Sequence, residues 1–301
     1  MRVLHFDCCL EDKRSSVVER FVMSDELVSA EVVRHFCHVA NRRLGVCFPA
    51  GTEALVAGRV AKRLKVLAVS LMDYVARLQE DQDCEEIVGF LDLVRPRAER
   101  FFQRRADLVA LHDSVRDQMA NGLRRVRLWS AGCGSGEEAY SMAVVVFEAM
   151  RALEIDPDSV DFKVLSSDIS PRALARGRRG AYSVDQARTI PRHLRERYFG
   201  DDADGVVVSA EMRARLVFRR LNLSRPPYPM KGPLQGIFLR EALVLLDPSA
   251  SRRVLAATRA LLGEGGRLFG GDDMPDLSGD VPDIHVSEIW DGAPAPASEI
   301  C

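Results

Sequence analysis

Trp129-Ser130-Ala131-Gly132-Cys133-Gly134-Ser135-Gly136-Glu137-Glu138-Ala139-Tyr140-Ser141 is the stretch on which the reading of this chain turns. The run Val126-Arg127-Leu128-Trp129 before it has the length and composition of a short strand, and Glu137 to Ala152 after it reads as a helix. Gly132, Gly134 and Gly136 therefore fall on a strand-to-helix turn. Glycines there let the backbone approach a ligand closely, and the following helix offers free N–H groups.

Working downstream, Phe162 to Ser166 reads as a second strand ending at Asp168, and Pro171 to Arg178 starts the next helix. Leu234 to Leu239 is a further strand, Arg252 to Leu262 a helix and Arg267 to Phe269 the opening of a late strand. This alternation predicts an α/β fold with a parallel sheet covered on both faces. Between Tyr182 and Asn222 the rhythm breaks. Val206-Val207-Val208 and Leu216-Val217-Phe218 predict a small antiparallel β insertion.

Upstream, Ser24 to Asn121 reads as helices. Ser24-Asp25-Glu26 is an N-cap signal, and Leu27, Val32, Val33, Phe36, Val39 and Ala40 follow at helical spacing until Gly45. A second helix, Glu53 to Val66, places Leu55, Val56, Val60 and Leu64 on one face and Arg59, Lys62, Arg63 and Lys65 on the other. Leu71 to Gln79 and Glu85 to Val94 complete the set, ahead of a basic run from Arg95 to Arg105. The expected organisation is a tail over 1–23, a helical domain over 24–121, an α/β domain over 122–290 with the insertion at about 183–220, and a tail over 291–301.

Composition narrows the class. At 47% hydrophobic and 29% charged residues the chain buries a core, and a formal net charge of -2 gives no overall attraction to nucleic acid. No apolar run approaches the roughly 18 residues of a membrane span. Seven scattered cysteines without a CxxC pair indicate neither a zinc site nor a disulfide framework and fit a reducing cytoplasm. The six histidines form no ligand cluster, so no metal is expected. Cys133, with no histidine near it in sequence, reads as a packing residue.

The chemistry follows from the acids around the loop. Glu137-Glu138 suit the helix dipole but repel a pyrophosphate, which counts against a dinucleotide. A cationic nucleoside fits better, and S-adenosylmethionine carries a sulfonium and an ammonium group. Asp168, 32 residues after Gly136, can accept both ribose hydroxyls; it can also simply cap the helix that starts near Pro171.

These residues resemble the signature of the CheR family, the chemotaxis receptor methyltransferases, which carries a motif of the type WSAGCSTGEEPYSLA. Ser167-Asp168-Ile169-Ser170 with Leu174-Ala175-Arg176-Gly177 is similar to the family's SDID…LxxAxxG, Arg197-Tyr198-Phe199 to its RYF, and Val217-Phe218 with Leu221-Asn222-Leu223 to its VxFxxxNL. Gly263 to Leu268 resembles LxPGGxL, and Phe101-Phe102 stands where the family has FFR. The likeness runs from about Ser29 to Phe269. It implies a Rossmann-like class I methyltransferase sheet with a small antiparallel insertion, preceded by an all-α domain. It also implies S-adenosylmethionine as cofactor, S-adenosylhomocysteine as product, and methyl transfer to glutamate side chains in the cytoplasmic part of a chemotaxis receptor, without nucleic acid or membrane insertion. By the same resemblance Glu138 holds the methionine end, Asp168 the ribose, and Asn222 and Leu223 border the adenine. Arg240, in the catalytic position, lines the pocket near the methyl beside Glu241, while Arg59, Lys62, Arg63 and Lys65 face the acidic receptor.

The chain departs from the family where the acceptor side should be. TTNxTxFFR reads Arg95-Pro96-Arg97-Ala98-Glu99-Arg100-Phe101-Phe102-Gln103, and the asparagine and tyrosine of FDxIFCRNVxIYF are Glu241 and Leu245. Three readings stay open: an active receptor-glutamate methyltransferase, a catalytically weakened S-adenosylmethionine-binding regulatory or scaffold protein, and a methyltransferase with a different acceptor.

Overall fold

The computed structural model describes residues 30–48, 51–80, 85–94, 100–103, 105–239, 243 and 246–270. Four helices come first: α1 (Ala30–Leu44), α2 (Glu53–Leu67), α3 (Leu71–Glu80) and α4 (Glu85–Val94). Their buried faces meet in one apolar cluster that includes Val33, Phe36, Val56, Val60, Tyr74, Leu78, Ile87 and Leu91. Gly45, at φ 66°, ends α1 as the sequence predicts, and its N–H donates to Asn41 O at 2.7 Å. Leu55 departs from expectation. It is 48% exposed, because Val56 and Val60 take the core-facing stripe and leave Leu55, Arg59, Lys62 and Val66 on the side away from it.

The α/β part begins with α5 (Arg105–Ala120) and β1 (Arg125–Ala131), followed by α6 (Glu137–Ala152), β2 (Asp161–Asp168) and α7 (Pro171–Arg179). Helix α5 lies within the span read as N-terminal helices, yet Leu108, Leu111, Val115 and Met119 pack into the same core as Val126, Leu128 and Val144. Then come β3 (Ala181–Ser183), α8 (Val184–Ala187), α9 (Arg192–Tyr198), β4 (Phe199–Asp202), β5 (Gly205–Val208) and α10 (Ala210–Arg215). The chain closes with β6 (Leu216–Arg220), β7 (Leu234–Phe238), α11 (Pro248–Arg259) and β8 (Leu262–Phe269).

Five strands form one parallel sheet in the order β6-β2-β1-β7-β8. The chain runs outward from β1 through β2 to β6, then returns to the other side of β1 with β7 and β8. In such sheets the crevice at the carboxyl ends of the strands, where the order reverses, is where ligands bind. The glycine loop leaves β1 at that point.

The small antiparallel sheet is β3-β5-β4. Leu216-Val217-Phe218, read from sequence as part of it, instead forms β6 at the edge of the main sheet, parallel to β2. A short β-branched and aromatic run specifies a strand; which sheet takes it is decided by register with Val164 to Asp168. Helix α11 starts earlier than predicted because Asp247 caps it and Pro248 occupies its first turn.

Candidate functional site

The glycine loop is built by hydrogen bonds to the end of β2. Gly132 N–H and Cys133 N–H both donate to Ser167 O, at 2.8 and 2.9 Å, and Gly134 N–H donates to Asp168 Oδ2 at 3.0 Å. All three glycines have positive φ, at 86°, 50° and 97° for Gly132, Gly134 and Gly136, a region that a side chain disfavours. At Gly136 space is short as well, since an added Cβ lies 3.1 Å from Phe218 Cζ and 3.2 Å from the Tyr182 hydroxyl. Asp168 is 2% exposed, and its other oxygen, Oδ1, accepts Ser170 N–H at 2.8 Å. It is not the cap of α7: that is Ser170, whose Oγ accepts Ala173 N–H at 3.1 Å. Cys133 is buried, in keeping with a packing role.

The two glutamates of the loop have different surroundings. Glu137 is fully buried and accepts hydrogen bonds from Ser135 Oγ at 2.9–3.0 Å and from Gln186 Nε2 at 2.6 Å. Glu138 is half-buried and accepts from Ser130 Oγ at 2.7 Å. Tyr182 of β3 donates to Ser135 O at 2.7 Å. The small sheet thus braces the loop. Gln186 was legible only as the fourth residue of a Ser183-x-x-Gln186 capping box, which the structure forms; nothing in its spacing pointed to Glu137.

Beside the loop lies a cavity partly open to solvent. Gly132, Asp168, Asn222 and Ser224 give it polar walls, while Leu44, Val46, Leu91, Ile169, Leu221, Leu223 and Leu246 give it apolar ones. A mostly apolar recess with a few convergent polar groups has the character of a small-molecule site. The apolar walls suit a purine, and the Asp168 carboxylate suits vicinal hydroxyls. Four residues expected at the cofactor, Gly132, Asp168, Asn222 and Leu223, meet here. Gly134, Gly136 and Glu138 are not among the cavity's lining residues. Asn222 carries a second duty that the sequence did not announce. Its Nδ2 donates to Arg43 O at 3.1 Å and its Oδ1 accepts from Ser224 N–H and Oγ at 3.0 and 2.9 Å. Leu44, Val46, Leu91 and Leu246 come from elements remote in sequence, and no motif marks them.

Residues 97–279 match the family model described as CheR methyltransferase, SAM binding domain. The chain belongs to the CheR methyltransferase family. Chemotaxis protein methyltransferase 2 of Pseudomonas aeruginosa is 29% identical over 235 residues, covering 76% of this chain and 81% of that one. The chemotaxis protein methyltransferase of Escherichia coli is 26% identical over 263 residues, covering 85% and 86%. The glycopeptide N-methyltransferase MtfA complexed with (S)-adenosyl-L-methionine overlaps 58% of this chain and 57% of its own at 16% identity and a TM-score of 0.29, too slight a likeness to carry weight. The expected Rossmann-like methyltransferase fold and the expected cofactor, S-adenosylmethionine, both hold for this CheR-family chain.

Several CheR signatures acquire physical reasons. Arg197 and Tyr198 of the RYF motif grip the buried Glu148 of α6. Glu148 Oε1 accepts from Arg197 Nη1 and the Tyr198 hydroxyl, both at 2.6 Å, and Oε2 accepts from Arg151 Nη2 at 2.8 Å. Burial pushes the Glu148 carboxyl up, but the hydrogen bonds from Arg151, Tyr198 and Arg197 outweigh it and hold it below the usual glutamate range. Phe199 packs edge-on to Phe101 at 5.3 Å. On α2, Lys62 and Lys65 are exposed and Arg59 half-buried, whereas Arg63 makes a two-point pair with Glu86 of α4 at 2.8 Å for each bond. Arg240 and Glu241 lie outside the described residues, as do the N-cap at Ser24 and the positions Arg97 and Glu99. No helix of the described residues is long and apolar enough to cross a membrane.

Proposed function

We propose that this chain transfers the methyl group of S-adenosylmethionine to glutamate side chains in the cytoplasmic part of a chemotaxis-type receptor, leaving S-adenosylhomocysteine. The observation that carries this reading is the cavity that gathers Gly132, Asp168, Asn222 and Leu223 at the switch point of a CheR-family sheet. In it Asp168 holds the ribose hydroxyls, Leu223 and the edge of Asn222 border the adenine, and Glu138, at the start of α6, pairs with the ammonium end. The cofactor supplies an electrophilic methyl. The chain's part is to align that methyl with the acceptor and exclude water. A glutamate acceptor is already ionised at neutral pH, so no general base is needed. Arg240 steadies the acceptor carboxylate near the methyl. Arg59, Lys62 and Lys65 meet the acidic receptor, with Arg63 holding their helix in place through Glu86. The site of action is the cytoplasm, and the helical and α/β parts act as two domains around the cavity.

A second reading has its own support. Gln103, Glu241 and Leu245 replace the arginine, asparagine and tyrosine of the family pattern, and an added carboxylate at 241 opposes a carboxylate substrate. A chain that binds the cofactor yet transfers poorly, as a regulatory or scaffold protein, follows from those changes, and so does a different acceptor. Titration with S-adenosylmethionine, followed by labelled cofactor and receptor cytoplasmic fragments, separates these readings. The first predicts binding and a base-labile methyl ester. Binding without ester leaves the scaffold reading, ester-free transfer to another group leaves the third, and no binding overturns all.

A further inference from the structure

Three polar contacts tie the end of α1 to the α/β part. Asn41 Nδ2 donates to Asp247 Oδ2 at 3.2 Å, Asp247 N–H donates to Gly45 O at 2.9 Å, and Asn222 Nδ2 donates to Arg43 O at 3.1 Å. The stretch they hold delivers Leu44 and Val46 to the cavity. Val46 also forms an isolated antiparallel bridge with Leu246, another cavity wall. The approach is close: a Cβ on Gly45 lies 2.8 Å from Ser224 Cβ and 3.2 Å from Ala250 Cβ. Asp247 divides its carboxylate between two elements. Oδ1 caps α11 by accepting from Ser249 N–H and Ala250 N–H at 2.9 and 2.8 Å, while Oδ2 takes Asn41. Neither Asn41 nor Asp247 lines the cavity.

We propose that Asn41 and Asp247 form a latch that sets the far wall of the S-adenosylmethionine pocket, which makes both of them positioning residues for the cofactor. They act through Leu44, Val46 and Leu246: with the contact made, the chain after α1 is held against the start of α11 and keeps its apolar wall on the cavity. The helical part of the chain thereby becomes a structural half of the cofactor site, in addition to any role in meeting a receptor. The proposal rests on the reading of the cavity as the S-adenosylmethionine site.

The test is calorimetric titration of the full-length chain with S-adenosylmethionine, alongside thermal unfolding of the same samples. Asn41→Asp sets two carboxylates against each other and is expected to weaken binding by about tenfold, the scale of one lost bond to a charged group. Adding Asp247→Asn restores a donor–acceptor pair with reversed polarity and keeps the cap, since Asn and Asp cap equally well. Affinity is expected to return to within about threefold of the parent on that scale. Turnover at saturating cofactor stays at the parent value, so the loss appears in KM for the cofactor and not in kcat. Asn41→Leu, neutral and similar in size, tests the same contact if charge opposition unfolds the chain, and is expected to weaken binding by about fivefold. Parent-like affinity in a folded Asn41→Asp or Asn41→Leu chain overturns the latch alone, as does a loss that Asp247→Asn fails to recover. Failure of the parent chain to bind overturns the cofactor reading and the latch together.

Discussion

Both carboxylate oxygens of Asp168 accept backbone N–H bonds, from Gly134 and from Ser170, so the residue shapes the loop before it meets a ligand. A carboxylate offers about four acceptor directions, so it can serve the loop and ribose hydroxyls together. Asp168→Ala is therefore expected to lower S-adenosylmethionine affinity by more than about tenfold, roughly 1.4 kcal/mol or more, through both the lost ligand contact and the orphaned Gly134 amide. Titration checks this, and an unchanged affinity refutes the ribose assignment. Asp168 was legible because strand ends and acidic residues are local signals. Gln186 and the second duty of Asn222 were not, because what they hold lies 49 residues away at Glu137 and 179 residues away at Arg43.

Helix α6 packs against α5, α10 and strands β1, β2 and β6. Its Glu148 ties it to α9 through Arg197 and Tyr198. Glu148→Gln is expected to cost about 1–2 kcal/mol, a figure kept low because Arg197 and Arg151 are 39% and 53% exposed and water screens them. The pH dependence has a definite sign. The folded-state pKa of Glu148 is depressed, so its stabilisation is complete above the ordinary glutamate range and is lost as pH falls through the folded value. Urea unfolding below about pH 4 is expected to show a shallower decline of stability in Glu148→Gln than in the parent. Helix α7 and strand β6 supply a second case. A Cβ on Gly177 would collide with Phe218 Cε1 in the buried core. Gly177→Ala should raise helix propensity by about 1 kcal/mol and yet destabilise the protein by about 1–2 kcal/mol net, because Phe218 must move. Urea midpoints decide it; a more stable variant shows that the ring yields freely.

At the scale of the whole molecule, the proposed function places cofactor and receptor on different parts of the chain, and their effects are expected to be separable. S-adenosylmethionine or S-adenosylhomocysteine at 100 times its Kd is expected to add about 2.7 kcal/mol of stability, seen as a rise in Tm. Lys62→Glu with Lys65→Glu, on the exposed side of α2, is expected to cut kcat/KM for receptor fragments by roughly three- to tenfold, through slower encounter, and to leave cofactor affinity alone. Arg63→Glu behaves differently. It breaks the pair with Glu86, which also accepts the Tyr74 hydroxyl at 3.0 Å, so it lowers stability first. Equal effects of the two changes on Tm contradict this division of labour.

The amino-acid sequence by itself determined the alternating strands and helices, the glycine turn, the acid at the end of β2 and the family. Each of these rests on local periodicity or on residues a few positions apart. Tertiary structure alone decided that Leu216 to Arg220 joins the large sheet, that α5 shares the sheet's core, that Arg63 is held by Glu86, and that the end of α1 walls the cavity. Those outcomes depend on strand register and on contacts between distant elements, whose free energies come from the packed chain as a whole and leave no mark in sequence spacing.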